Sequence, residues 1–357
     1  MQRLGANPTY WGIEMRKRNW KRGLVGATLA TSLLALAGPF TAGAAAATCT
    51  PKTNIEAIID DSFSMGVTDS NKLRVQGLNL LIDTLPAKTT LGAIAFGSGS
   101  TFTGTPAATQ VFPPEPVGPN AAAMKAALGA AINADDGATD YNGAFALADT
   151  ENPNAQARIF LTDGAHNVDE YKNGHLTHNV PTYVIGFGEG LTGVEDQARL
   201  ERIAAETAGK YYPLTDSSQL QAVMNSIGAE LTCQTPPRTF TDKLAQGKAA
   251  THTVSIGAAT KSVQIALTWA SPLDRFKLNG LRLVLHGKPI AVAGRAGKVR
   301  KPRKLNVERH GSTTFSVIEV SGLSKGNLRF SVTAAKVGSG EPQVTLTTQV
   351  SQKKKGK

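Results

Sequence analysis

Two textures of apolar and polar positions follow one another along this chain. In the first, short continuous apolar runs alternate with longer stretches of helical spacing. Asn54 to Ile59, Leu91 to Phe96, Ile159 to Thr162 and Val180 to Phe187 are largely apolar, the pattern of strands covered on both faces. Between the first two runs, Asn71 to Leu85 carries Leu73, Val75, Leu78, Leu81 and Ile82 at helical spacing, and Pro86 closes it. Asn120 to Ile132 is an Ala-rich helix opening on an N-cap residue, and Asp140 to Asp149 reads as a helix too. Gly193 to Ala208, Tyr211-Tyr212 and Ser217 to Leu231 give a final helix, strand and helix. Thr105 to Pro119 is rich in Pro, Gly and Thr, hence loop, with an edge strand at Gln110 to Phe112. This alternation predicts an α/β fold: a doubly wound, Rossmann-like, mostly parallel sheet over residues 48–233.

The second texture begins after Gln234-Thr235-Pro236-Pro237, a hinge within a linker at 234–238. Short alternating runs follow at Thr251 to Ile256, Ser262 to Trp269, Leu281 to His286, Thr314 to Val320, Asn327 to Ala334 and Gln343 to Val350. Turn residues separate them, and helical periodicity is absent. That predicts a smaller all-β sandwich over 239–350, with a basic tail at 351–357. Trp269 is expected as a core anchor of that sandwich.

Ahead of both lies a basic stretch, Met15-Arg16-Lys17-Arg18-Asn19-Trp20-Lys21-Arg22, then an uncharged apolar run from Leu24 to Ala37. Ala42-Gly43-Ala44 or Ala45-Ala46-Ala47 offers cleavage, so residues 1–47 read as a secretory signal, with Met15 an alternative start. No later segment is apolar enough to span a bilayer, so no membrane span is expected in the mature chain. A secreted or cell-surface location follows. The only cysteines, Cys49 and Cys233, bracket the α/β part, whose two ends come close in a doubly wound fold. An oxidising exterior lets them pair. Charge divides at the hinge: residues 48–236 hold 10 Lys+Arg against 21 Asp+Glu, and residues 237–357 hold 22 against 5. An acidic front and a basic back speak of partners rather than of fold.

The chemistry concentrates in Ile59-Asp60-Asp61-Ser62-Phe63-Ser64, an Asp-x-Ser-x-Ser at the mouth of the first strand. Residues two apart in an extended loop point the same way, so a carboxylate and two hydroxyls converge. Thr139 in Gly137-Ala138-Thr139-Asp140 and Asp163 in Ile159-Phe160-Leu161-Thr162-Asp163-Gly164 complete a pattern of oxygen donors suited to a hard divalent cation. In this order the three fragments resemble the von Willebrand factor A (vWA) family and its metal-ion-dependent adhesion site (MIDAS), over Cys49 to Cys233. The resemblance implies direct contacts from Ser62, Ser64 and, in the engaged state, Thr139, with Asp60 and Asp163 acting wholly or partly through water. It also implies Mg²⁺ or Mn²⁺, with Ca²⁺ a poorer fit, and a partner protein whose carboxylate completes the octahedron. Many A domains carry a terminal disulfide like the pair expected here. The last third loosely resembles the pre-peptidase C-terminal type of β-sandwich.

Other polar features receive structural readings. Asp61, between the ligand positions, points away as a solvated or supporting residue. Asp140 caps the helix that follows it. His166, His175 and His178, with Asp169 and Glu170, lack the His-Glu-x-x-His frame and read as a polar surface loop. Arg295, Lys298, Arg300, Lys301, Arg303 and Lys304 form a run that either grips an anionic cell-wall polymer or is an ordinary solvated loop. Without interleaved aromatics, nucleic acid is not expected. No group is placed as a general base, so the expectation is a binding protein and not an enzyme; an accessory subunit of a secreted hydrolase is the alternative.

Overall fold

The computed structural model describes residues 49–97, 106–134, 137–188, 193–215, 217–234, 238–292 and 303–352. The expected leader, most of the hinge, the tail from 353, and Arg295, Lys298, Arg300 and Lys301 lie outside the described residues.

The α/β part contains β1 (Asn54–Asp60), β2 (Thr90–Phe96), β3 (Ala108–Pro116), β4 (Ala157–Thr162), β5 (Thr182–Phe187) and β6 (Lys210–Leu214), in the order β3-β2-β1-β4-β5-β6. All neighbours are parallel except β3, which runs antiparallel along one edge. Helices α1 (Met65–Thr68), α2 (Leu73–Thr84), α3 (Val117–Ala131), α4 (Tyr141–Glu151), α5 (Val194–Glu206) and α6 (Leu220–Leu231) complete it. Strand parity assigns the faces. Ile55, Ala57 and Ile59 share a core with residues of α2, α3 and α6, whereas Ile58, Phe160 and Val184 pack with α4 and α5. Each of these Ile, Val and Phe side chains contributes about 1.5–3 kcal/mol on burial, which is why these strands read as unbroken apolar runs.

Two boundaries differ from expectation. The edge strand extends to Pro116 because an outer strand tolerates the missing N–H groups of Pro113 and Pro114, with register shifts where they pair. The following helix starts at Val117 rather than at an Asn120 cap. Pro119 fits its first turn, where no intrahelical N–H donor is needed, and Asn120 Nδ2 donates back to Pro116 O at 3.0 Å.

The β part stacks two five-stranded sheets. One is β12-β11-β10-β15-β8, from β8 (Ala249–Ile256), β10 (Arg275–Leu285), β11 (Lys288–Val292), β12 (Arg303–Lys304) and β15 (Gly326–Lys336). The other is β13-β14-β9-β16-β7, from β7 (Arg238–Lys243), β9 (Thr260–Trp269), β13 (Asn306–Gly311), β14 (Phe315–Ser321) and β16 (Gln343–Gln352). Val263, Ile265, Leu267 and Trp269 point into the core between them, so Trp269 is the anchor expected. Residues 49–357 cluster as one compact unit, because the outer face of the second sheet rests on α2 and α6. Leu80 packs with Ala266, Phe315 and Val317 there. Gln221 Nε2 donates to Thr314 Oγ1 at 2.8 Å, Asn225 Nδ2 donates to Thr347 Oγ1, and Gln349 Nε2 donates to Asn225 O at 3.0 Å. Among the described residues no helix is long and apolar enough to cross a membrane.

Candidate functional site

Strands β1 and β4 lie side by side, and the chain leaves them toward opposite edges of the sheet, so the crevice beyond their carboxyl ends is the topological switch point. Just past β1, Asp60 Oδ1 accepts the Ser62 N–H at 2.8 Å, bending the chain so that Ser62 and Ser64 turn inward together. Asp60 Oδ2 accepts from Thr162 Oγ1 at 2.6 Å, tying the two strand ends. Ser62 Oγ and Ser64 Oγ are 3.2 Å apart, and Ser64 Oγ donates to Asp163 Oδ1 at 2.8 Å. Thr139 enters from the loop before α4. Its N–H donates to Asn167 Oδ1 at 2.9 Å, and its carbonyl accepts the Asn167 N–H at 3.2 Å. Gly164 separates Thr139 from Ser64: a Cβ there would stand 3.3 Å from Thr139 Oγ1 and 3.8 Å from Ser64 Oγ. The structure thus brings Asp60, Ser62, Ser64, Thr139 and Asp163 to one edge, where oxygen is the donor element throughout.

Burial pushes the Asp60 carboxyl up to about 7, the nearby Asp163 charge adds to that, and hydrogen bonds from Ser62 and Thr162 oppose it. Asp163 is raised by burial, against hydrogen bonds from Thr68 and Ser64. Thr68 is a residue the motif reading missed: Oγ1 lies against Asp163 Oδ2 and 3.1 Å from Ser64 O. Its only sequence signal is a position one helical turn beyond Ser64.

The loop is held from beneath by charge. Of the two roles expected for Asp61, solvated or supporting, the structure shows the second: it is buried, 2.7 Å from Arg74 Nη2, and accepts the N–H groups of Asn133 and Ala134 at 3.0 and 2.7 Å. The same guanidinium reaches Asp69 at 3.1 Å, and Asp69 accepts the Leu73 and Arg74 N–H groups at the start of α2. Asp61 does point away from the hydroxyls, but toward a buried cation that no local pattern reveals.

Asp140 caps α4 as expected, accepting from the Asn142 and Gly143 N–H groups. The histidine segment is only in part the expected surface loop: Asp169, Glu170 and His178 are exposed, whereas His166 and His175 are buried. His175 is fully buried, 2.5 Å from Tyr171 OH and 2.6 Å from Glu206 Oε2, and burial lowers its pKa against the Glu206 hydrogen bond. His166 Nδ1 accepts the Tyr141 N–H at 3.0 Å, while Nε2 faces Asp169 Oδ1 at 3.0 Å. Asp140, His166 and Asp169 bring ligand atoms within 4.8 Å of one another. Nδ1 and the Asp140 carboxylate are committed to the start of α4. An aromatic cluster of Tyr141, Phe145 and Tyr171 draws these histidines inward. Tyr141 OH in turn donates to Gly164 O at 2.6 Å, steadying the turn after Asp163.

Cys49 and Cys233 are joined in a disulfide across 184 residues of sequence, beside a bond from Lys52 N–H to Leu231 O at 2.7 Å. Of the basic run, Arg303 and Lys304 form β12.

No family model matches the sequence, and no curated protein matches it. Solved structures do resemble its chain path. One is a von Willebrand factor type A protein from Catenulispora acidiphila, at 17% identity, covering 84% of this chain and 64% of that one, with TM-score 0.40. The pilus adhesin SpaC from Lactobacillus rhamnosus GG is similar at 12% identity, over 85% of this chain and 40% of that one, with TM-score 0.41. Proximal thread matrix protein 1 from the mussel byssus is similar at 16% identity, over 56% and 50%, with TM-score 0.41. The chain spans less than two thirds of the length of each.

Proposed function

We propose that this chain is a secreted binding protein that engages a partner protein through a divalent cation held by Asp60, Ser62, Ser64, Thr139 and Asp163. The observation that carries the reading is the union of Ser62, Ser64 and Asp163 by contacts of 3.2 and 2.8 Å, with Thr139 and Ser64 on either side of side-chain-free Gly164. Three hydroxyls and two carboxylates are a hard, all-oxygen set, which fits Mg²⁺ or Mn²⁺ better than a softer ion. When bound, the ion supplies a positive centre at which a partner's carboxylate replaces water. The chain's own residues set the geometry: Asp60 turns the loop, Thr68 and Ser64 orient Asp163, and the Asp61–Arg74–Asp69 network holds the loop in place. Phe63 and Val67, 73% and 79% exposed beside the hydroxyls, offer apolar contact to whatever approaches. The disulfide accords with an oxidising compartment.

Titration calorimetry with Mn²⁺ tests the ion, and capture from surface and secreted proteins tests the partner. Wild type should bind the ion and Asp163→Ala should not. Partners should be retained with Mg²⁺ and released by chelator. Equal Mn²⁺ binding by both proteins, or capture indifferent to chelator, would remove the reading.

A further inference from the structure

We propose that the outward face of the sheet β12-β11-β10-β15-β8 binds a linear acidic polysaccharide. This sheet's inner side faces the sandwich core, and the other sheet of the sandwich rests on α2 and α6, so the outward face is turned away from the α/β part. Its five strands contain no Asp or Glu, and four of them carry Lys or Arg. The companion sheet, which packs on the helices, mixes both signs, with Asp242, Glu308 and Glu319 among its residues.

Register sharpens the asymmetry. Arg282 of β10 stands directly opposite Arg329 of β15, and both are exposed. Like charges directly opposite on a sheet are destabilising. A carboxylate at either position would relieve the repulsion, and neither strand supplies one. Thr253 of β8 continues that row beyond Arg329. Lys277 points the same way further along β10, opposite Thr333, about 15 Å from the arginine pair at the usual strand rise. Among the described residues, Lys277, Arg282 and Arg329 have no ion-pair partner. Cations at intervals on an exposed face match a polymer carrying its charges at intervals.

The positions between the cations favour a carbohydrate. Thr251 and Ser331, Ser255 and Asn327, and Asn279 and Thr333 pair across the strands at 3.0–3.4 Å, setting hydroxyls and amides over the face. Phe276 and Phe330 point into the core, so these strands offer no outward aromatic for base stacking and no apolar wedge for a lipid surface.

The test is binding of the whole secreted chain to immobilised heparin and polygalacturonate across a salt series. Lys277→Gln/Arg282→Gln/Arg329→Gln is compared with wild type and with Lys298→Gln/Arg300→Gln/Lys301→Gln. The sheet triple variant should lose about tenfold or more in affinity, and its salt slope should fall by about two or three, as expected when three cation contacts are lost. Chelator should change nothing, which keeps this outcome separate from the metal reading. Arg329→Thr, which removes one member of the opposed pair, should melt no lower than wild type while weakening binding, so loss of fold cannot stand in for loss of site. Unchanged binding in the sheet variant, loss confined to the 298–301 variant, or equal affinity for duplex DNA at matched salt would each overturn the proposal.

Discussion

Replacing Arg74 with methionine removes the guanidinium that Asp61 and Asp69 share under the loop of Ser62 and Ser64. All three side chains are no more than 1% exposed, with contacts of 2.7 and 3.1 Å. At an effective dielectric near 20, each charge pair attracts by about 4 kcal/mol at 4 Å. Desolvation offsets much of that, so the intact network contributes little net stability. Deleting only the cation is different, because two carboxylates stay buried without it, a situation that typically costs about 3–5 kcal/mol. Asp61 keeps the Asn133 and Ala134 N–H groups, and Asp69 keeps two N–H groups of α2, which places the loss near the lower end, about 3 kcal/mol. Urea unfolding at pH 7 measures it. Adding Asp61→Asn should return part of the loss, with a coupling of about 1–3 kcal/mol in the double-mutant cycle. A loss below about 1 kcal/mol, or a strictly additive double variant, would refute the claim that one buried charge organises the loop.

Burial pushes Glu56 from 4.5 to about 8, with Asn152 and Arg158 opposing. A carboxyl raised on folding stabilises fully below 4.5 and loses that contribution as pH rises through 8. Glu56→Gln should therefore flatten the pH dependence of urea stability between pH 5 and 8.5, by at most about 5 kcal/mol; superimposable profiles would refute it. Cys49→Ser/Cys233→Ser should lose about 2–5 kcal/mol, read as a lower melting temperature that reductant no longer shifts. Gly164→Ala sets a methyl 3.3 Å from Thr139 Oγ1 and 3.8 Å from Ser64 Oγ. It should weaken Mn²⁺ binding about tenfold while leaving the melting temperature nearly unchanged.

How much of this was legible in sequence depended on whether the signal was local. β1 and β4 were readable because burial on both faces makes an apolar run, and Asp60, Ser62, Ser64 and Asp163 stand at its ends. Thr139 was found by motif, yet what positions it, Asn167, is 28 residues away and carries no local sign. Arg74 stands among the apolar positions of α2 with no local mark of its own, because its burial depends on Asp61 and Asp69, which the turn before the helix brings to it. His175 reads as part of a polar loop because Glu206, which takes one of its hydrogen bonds, is 31 residues away; Tyr171, which takes the other, is four residues before it and is the one local sign of its burial. β7 and β13 were missed for a different reason. As outer strands of their sheet they alternate weakly, and Arg238–Lys243 has Phe240 as its one large apolar residue.

Leu80 shows what a fuller reading of α2 would have found. Leu73, Leu78, Leu81 and Ile82 belong to the core beneath the sheet, whereas Leu80 belongs to the contact with Ala266, Phe315 and Val317. A helix apolar around most of its circumference is covered on more than one side, and here the second cover is the sandwich. β9 carries a fainter mark: in Val263–Trp269 the odd positions enter the sandwich core, and between the polar Gln264 and Thr268 the one apolar even position, Ala266, meets the helix. The apolar patch alone would allow sliding, but the amides do not. Gln221, Asn225 and Gln349 are buried, and each would lose its bond to Thr314, Thr347 or the α6 backbone if the sheet shifted by one residue. Polar bonds inside an apolar contact therefore fix the register of the two parts. The same docking uses up one outer face of the sandwich, and the cation-bearing face on its other side stays exposed. The oxygen-bearing residues lie at the strand ends of the α/β sheet, and none of the five takes part in the contact with the sandwich. Because neither surface is spent on the contact, the two proposed binding surfaces are open at the same time, and a partner at one would leave the other free.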